Sequence, residues 1–156
     1  LSQQNVHAYV LGEHGDTSVI PWSTANISNV PVLEYNKSFI RPDGIIIPDL
    51  NVEEVEDYVR KSGARVIERK GATFYAVSMS VCHICKCLLS GIDTTMTVST
   101  MLHGEYGIED VAMSLLTVVG HNGAHSKVML PLTDAEIWAL HKSAESLKSI
   151  IKQTTI

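Results

Sequence analysis

The chain has 156 residues, 45% of them apolar and 19% charged, with a net charge of −5; this suits one compact domain with its own hydrophobic core. The acidic balance, with no Lys/Arg cluster to override it, argues against nucleic acid as a partner, and no apolar run approaches the ~20 residues a membrane span needs. No leader pattern opens the chain, and its start at Leu1-Ser2-Gln3 without a methionine points to a fragment.

Residues 6–11 alternate as a strand, with Val6, Ala8 and Val10 on one side and His7, Tyr9 and Leu11 on the other. A loop punctuated by Gly12 and Gly15 follows, then Pro21-Trp22-Ser23. The proline-rich stretch 30–49 reads as a connecting segment. Asn51-Val52-Glu53-Glu54 is a capping-box-like helix start with carboxylates in the first turn, where the helix dipole favours them. The helix should bend or break near Gly63, resume over 64–70, and pass through Gly71 into a long helix over 73–89 that stops at Ser90-Gly91.

Beyond that point the chain turns β-branched and apolar. Residues 94–102, 111–120 and 124–132 predict three antiparallel strands, the last two joined by a tight turn at His121-Asn122-Gly123. Thr133-Asp134-Ala135-Glu136 is a second capping box, opening a helix with Ile137, Leu140, Ala144, Leu147 and Ile151 on one face. The fold class is therefore α+β, with helices packed on antiparallel strands. Residues 1–156 form one domain.

Cys82, Cys85 and Cys87 fall within six residues. An odd, clustered count does not make a disulfide framework, which favours a reducing cytoplasm. The pair at 82 and 85 resembles half of a zinc or redox motif, but no second Cys/His pair stands at a useful spacing. Val77, Val81, Ile84 and Leu88 recur around it at helical spacing. The cysteines are thus expected in or beside a helix core, with no metal.

The segment with chemical promise is Gly12-Glu13-His14-Gly15-Asp16-Thr17 at the end of the first strand. Glycines on either side let backbone and ligand approach closely. A histidine exchanges protons near neutral pH without an extreme environment, and an acidic neighbour such as Asp16 would favour its charged form. By itself such a histidine could equally be a plain loop residue.

The longer string is far more specific. Asn5-Val6-His7-Ala8-Tyr9-Val10-Leu11-Gly12-Glu13-His14-Gly15-Asp16-Thr17, followed by Pro21-Trp22-Ser23, closely resembles the catalytic-histidine strand and loop of L-lactate dehydrogenases. Lys70-Gly71-Ala72-Thr73-Phe74-Tyr75-Ala76 is similar to a second signature of that family, in the expected order. The later strands and capped helix follow in family order, so the resemblance covers essentially the whole chain.

The resemblance implies a C-terminal substrate-binding domain of the lactate/malate dehydrogenase family; the complete protein would be NAD-dependent, cytoplasmic and assembled as a homotetramer. His14 would be the acid/base exchanging a proton with the 2-oxo-acid carbonyl, interconverting lactate and pyruvate. Thr73 would line the substrate pocket and help hold the carboxylate. Val77 would rest against the nicotinamide ring. His7 matches a position where regulated bacterial members bind fructose 1,6-bisphosphate between subunits, although an outward-facing strand histidine explains it equally well.

No Gly-x-Gly-x-x-Gly occurs in the chain, so the Rossmann half is absent. By the resemblance, the aspartate that orients the histidine and the arginines that grip substrate and effector belong upstream of Leu1, and the isolated chain should be inactive. Glu13 stands where malate dehydrogenases commonly carry Gly, which, with the Gly-Asp-Thr ending and His7, favours lactate. Malate, another 2-hydroxy acid, and a non-catalytic assembly or regulatory domain remain the alternatives.

Overall fold

The computed structural model describes residues 2–38, 42, 44 and 48–154. Its centre is an antiparallel meander of β4 (Thr94–His103), β5 (Glu109–Gly120) and β6 (Gly123–Lys127). β4 and β5 run in register from Thr94↔Val119 to Met101↔Ala112, with an irregularity before His103↔Glu109. Gly120 pairs with Gly123 across His121-Asn122, and Gly123 at φ 81° supplies the left-handed residue that closes the turn. β6 is shorter than the periodicity implies. Val128 still donates to the Leu116 carbonyl, but the ladder then ends and Pro131 has no N–H with which to extend it.

The core lies against β5. Val111, Met113 and Leu115 alternate inward, joined by Leu102, Ile108, Leu11, Val19, Leu140 and Ala144. The last two belong to α3 (Asp134–Thr154). Its capping box forms as the sequence implies: the Thr133 Oγ1 accepts from the Glu136 N–H at 3.3 Å, and a Glu136 oxygen accepts from the Thr133 N–H at 2.8 Å.

α1 (Val52–Lys70) runs unbroken through Gly63, against the expected bend. A mid-helix glycine costs only about 1 kcal/mol. Against it stand the Asn51 cap on the Glu54 N–H, a left-handed Gly71 at the C-terminus, and the Glu56–Arg60 and Asp57–Lys61 ion pairs one turn apart. α2 (Tyr75–Ser90) starts two residues later than expected, leaving Thr73 in the link between helices. Of the cysteines on α2 only Cys87 is buried, whereas Cys82 and Cys85 are exposed. α1 buries no residue, and Val77 on α2 is 55% exposed.

The N-terminal strand is also not continuous. Only β1 (Val6–His7) pairs, with β2 (Asn26–Ile27), which in turn pairs with β3 (Val30–Pro31). Residues 8–10 pass between two different ladders, because Leu11 pairs with Val19 and Gly12 with Ser114. Ser28 and Asn29, both at positive φ, form the two-residue turn of the small β2–β3 hairpin. The connecting segment holds β3 and a 3-10 helix, Val32–Ser38; most of residues 39–47 lie outside the described residues.

Candidate functional site

His14 sits on a seven-residue loop, 12–18, whose stem is closed by backbone bonds. Leu11 and Val19 exchange N–H donors and carbonyls at 2.8 and 2.9 Å, and Gly12 does the same with Ser114 of β5 at 2.8 and 2.9 Å. Leu11 and Val19 are both in the core cluster. The loop is therefore bolted to the central sheet on one side and to packed apolar side chains beneath. Gly12 is required at the junction, since its φ is +88° and a Cβ there would lie 2.7 Å from the Ser143 Oγ.

Two further elements hold the loop. From α3, the Ser143 hydroxyl accepts the Glu13 N–H at 2.8 Å and lies 3.3 Å from the Thr17 hydroxyl. The Glu13 carboxylate accepts from both the Thr17 N–H and the Thr17 hydroxyl. From α1, Arg60 donates to the Ser18 carbonyl at 3.3 Å and pairs with Glu56 at 3.0 Å, while Glu56 accepts the Trp22 indole N–H at 2.8 Å. Further along, Ser23 donates to Glu136 through its N–H and its hydroxyl.

The His14 imidazole is exposed, and among the described residues it has no hydrogen bond or ion pair. Asp16 lies in the same loop without pairing to it. His14 lines a cleft of about 420 Å³ with residues 10–15, Ser18, Val59, Arg60, Ser62, Gly63, Thr97 and Ser114. Arg60 brings a positive charge to this cleft, partly offset by Glu56. An imidazole with no internal partner, at the rim of a cavity that also carries a guanidinium, can exchange a proton with a small bound molecule.

The other residues singled out in the sequence lie elsewhere. Thr73 is exposed in the α1–α2 link, Val77 is exposed in the first turn of α2, and neither lines the His14 cleft. His7 is exposed in β1 opposite Asn26. Sequence reasoning missed Ser143 and Arg60. Ser143 carried a usable signal, because it stands three residues after Leu140 and next to Ala144 on the apolar face of α3. A polar side chain there must find a partner.

Among the described residues no group of three His, Cys, Asp or Glu could hold a metal ion, and no helix is long and apolar enough to cross a membrane. The described residues also do not fit a dinucleotide by themselves: both sheets are antiparallel, and no glycine-rich strand-to-helix turn offers N–H groups to a pyrophosphate.

Comparison with known proteins agrees with this architecture. Residues 1–155 match the family model for the lactate/malate dehydrogenase, alpha/beta C-terminal domain. An L-lactate dehydrogenase of Acetivibrio thermocellus is 38% identical over 153 residues, which are 98% of this chain and 47% of that relative. The structure of a minor L-lactate dehydrogenase from Enterococcus mundtii, in a ligands-bound form, superposes on all of the chain with a TM-score of 0.87 at 31% identity, over 48% of its own length. A malate dehydrogenase from Archaeoglobus fulgidus, in complex with NADH, matches 96% of the chain and 44% of its own, with a TM-score of 0.78 and 29% identity. The chain spans about half the length of the curated relatives it matches. It belongs to the lactate/malate dehydrogenase family, whose α/β C-terminal domain it forms.

Proposed function

We propose that this domain is the substrate-binding half of a cytoplasmic, NAD-dependent L-lactate dehydrogenase, and that His14 is its acid/base. One observation carries the reading: a histidine without an internal partner is presented to a cleft by a loop that is itself held from three sides. Such rigidity is what acid/base work requires, since the reacting atoms must sit within hydrogen-bond reach of the proton they exchange.

In this reading the protonated imidazole donates to the carbonyl oxygen of pyruvate and recovers the proton when lactate is oxidised. Its charge interacts most strongly with the developing alkoxide, so it stabilises the transition state more than the ground state. The nicotinamide cofactor, held by a nucleotide-binding half outside this chain, would supply the hydride as NADH when pyruvate is reduced and accept it as NAD+ when lactate is oxidised. Thr73 would help hold the substrate carboxylate. Val77 would present an apolar wall to the cofactor ring and exclude water. Both are exposed here, as residues that meet another part of the enzyme would be.

Lactate is favoured over malate by the resemblance alone, because Glu13 stands where malate dehydrogenases commonly carry Gly. The Glu13 carboxylate clasps Thr17 and so shapes the loop, whereas a glycine there would leave Thr17 without that partner. Fructose 1,6-bisphosphate at His7, in a homotetramer, belongs to the same proposal. The test is pyruvate reduction with NADH by the full-length enzyme, alongside the 156-residue chain alone. The full-length enzyme should turn over, and the chain alone should neither turn over nor bind NADH. A full-length enzyme inert towards pyruvate would contradict the substrate assignment, and turnover by the chain alone would contradict the division of labour.

A further inference from the structure

The three polar side chains around the His14 loop form a closed circuit whose protons can all be assigned. The Thr17 hydroxyl has one proton and gives it to the Glu13 carboxylate, which can only accept. Its oxygen must then accept in the contact with Ser143, so the Ser143 hydroxyl is the donor across 3.3 Å. The Ser143 oxygen in turn accepts the Glu13 N–H at 2.8 Å. The ring runs from the Glu13 N–H through Ser143 and Thr17 back to the Glu13 carboxylate, with a second clasp from the Thr17 N–H at 3.3 Å. Every bond points the same way round, an arrangement in which each polarises the next.

The ring encloses residues 13–17, and His14, Gly15 and Asp16 are what it displays to solvent. Ser143 comes from α3, 130 residues away in sequence, and is 0% exposed. A hydroxyl buried beside Leu140 and Ala144 must find its hydrogen-bond partners within the protein, and it finds them on the loop. Gly12 lies against Ser143 so closely that only glycine fits between the loop stem and the helix.

We infer that Ser143 is a positioning residue for His14, acting through the Glu13 backbone and the Thr17 hydroxyl so that the C-terminal helix sets where the imidazole stands in its cleft. This rests on the acid/base reading of His14. Losing the ring leaves the fold intact but lets the loop shift, and misplacement of a proton donor by about 1 Å can cost on the order of 10²-fold in rate.

The test compares Ser143→Ala and Thr17→Val, each of which removes a hydroxyl, with Thr17→Ser, which keeps it, in the full-length enzyme. The first two should lower kcat by about 10- to 100-fold with little change in pyruvate KM, because the lost interaction matters only in the transition state. Thr17→Ser should restore most of the rate. Thr133→Ala, which removes the cap of the same helix, should lower the unfolding midpoint and leave kcat unchanged, separating position from stability. Amide exchange of Glu13 in the isolated chain should quicken in Ser143→Ala. A normal kcat in Ser143→Ala, in an enzyme that His14→Asn inactivates, would overturn the positioning role alone. If His14→Asn were itself active, the acid/base reading would fail, and Glu13 exchange would still decide whether Ser143 holds the loop.

Discussion

Replacing Gly12 with alanine perturbs the stem of the His14 loop in two separable ways. The first is conformational: the residue sits at φ +88°, where an L side chain costs roughly 1–2 kcal/mol. The second is steric. The new Cβ would lie 2.7 Å from the Ser143 Oγ and 3.3 Å from its Cβ, while Leu140 Cδ2 at 3.7 Å is in ordinary contact. Overpacking of that kind in a dense interior costs about 1–3 kcal/mol, so Gly12→Ala should destabilise the domain by about 2–5 kcal/mol. Ser143→Gly removes both clashing atoms and leaves the backbone strain. The double variant should therefore be about 1–3 kcal/mol more stable than the two single losses added together, a coupling expected of residues in contact. The penalty of glycine within α3 appears in both arms of the cycle and cancels. Urea unfolding of the four proteins, followed by circular dichroism with the slopes compared, measures each quantity. A Gly12→Ala domain within about 0.5 kcal/mol of the parent, or strict additivity in the cycle, would refute the close approach of loop and helix.

Leu140→Ala, at a fully buried site in the same cluster, should cost about 2–5 kcal/mol in urea unfolding, and a loss typical of surface positions would place the core elsewhere. Glu136 predicts a pH dependence. Burial raises its pKa, but hydrogen bonds from Ser23 and Thr133 together outweigh burial and hold it below the ordinary 4.5. Its stabilisation is thus present above that value and is lost as the pH falls below it through the lowered folded pKa. Glu136→Gln should flatten that part of the stability profile, and an unchanged slope would remove Glu136 as its source. For His7, titrating fructose 1,6-bisphosphate into the full-length enzyme and its His7→Gln variant should show weaker activation in the variant, because an imidazole can form a charge-assisted hydrogen bond to phosphate that an amide cannot. Equal activation in both would leave His7 a plain strand histidine.

Local signals in the sequence predicted local structure well. Asn51 with Glu54 and Thr133 with Glu136 mark helix starts because capping is decided within four residues. Gly63 misled because its small helix penalty is outweighed by ion pairs and caps spread over the whole of α1. The alternation at residues 6–11 implied one strand, yet those residues serve two ladders whose partners, Asn26 and Ser114, are distant in sequence. The β2–β3 hairpin went unread, although Asn29 in a short turn was an available sign. His14 stood out as a candidate from its glycine-bounded loop and the surrounding string. The ring that holds it did not, since Ser143 lies 130 residues from Glu13 and nothing local in α3 names its partner.

On the proposed function, His14 moves the proton. In the full-length enzyme, His14→Asn keeps a polar side chain of similar reach but cannot deliver a proton near neutral pH. Pyruvate reduction should fall in kcat by at least about 10²–10⁴, with NADH affinity nearly unchanged if, as proposed, the cofactor is held mainly by a half outside this chain. A near-normal kcat in His14→Asn would contradict the account and require another residue to carry the proton.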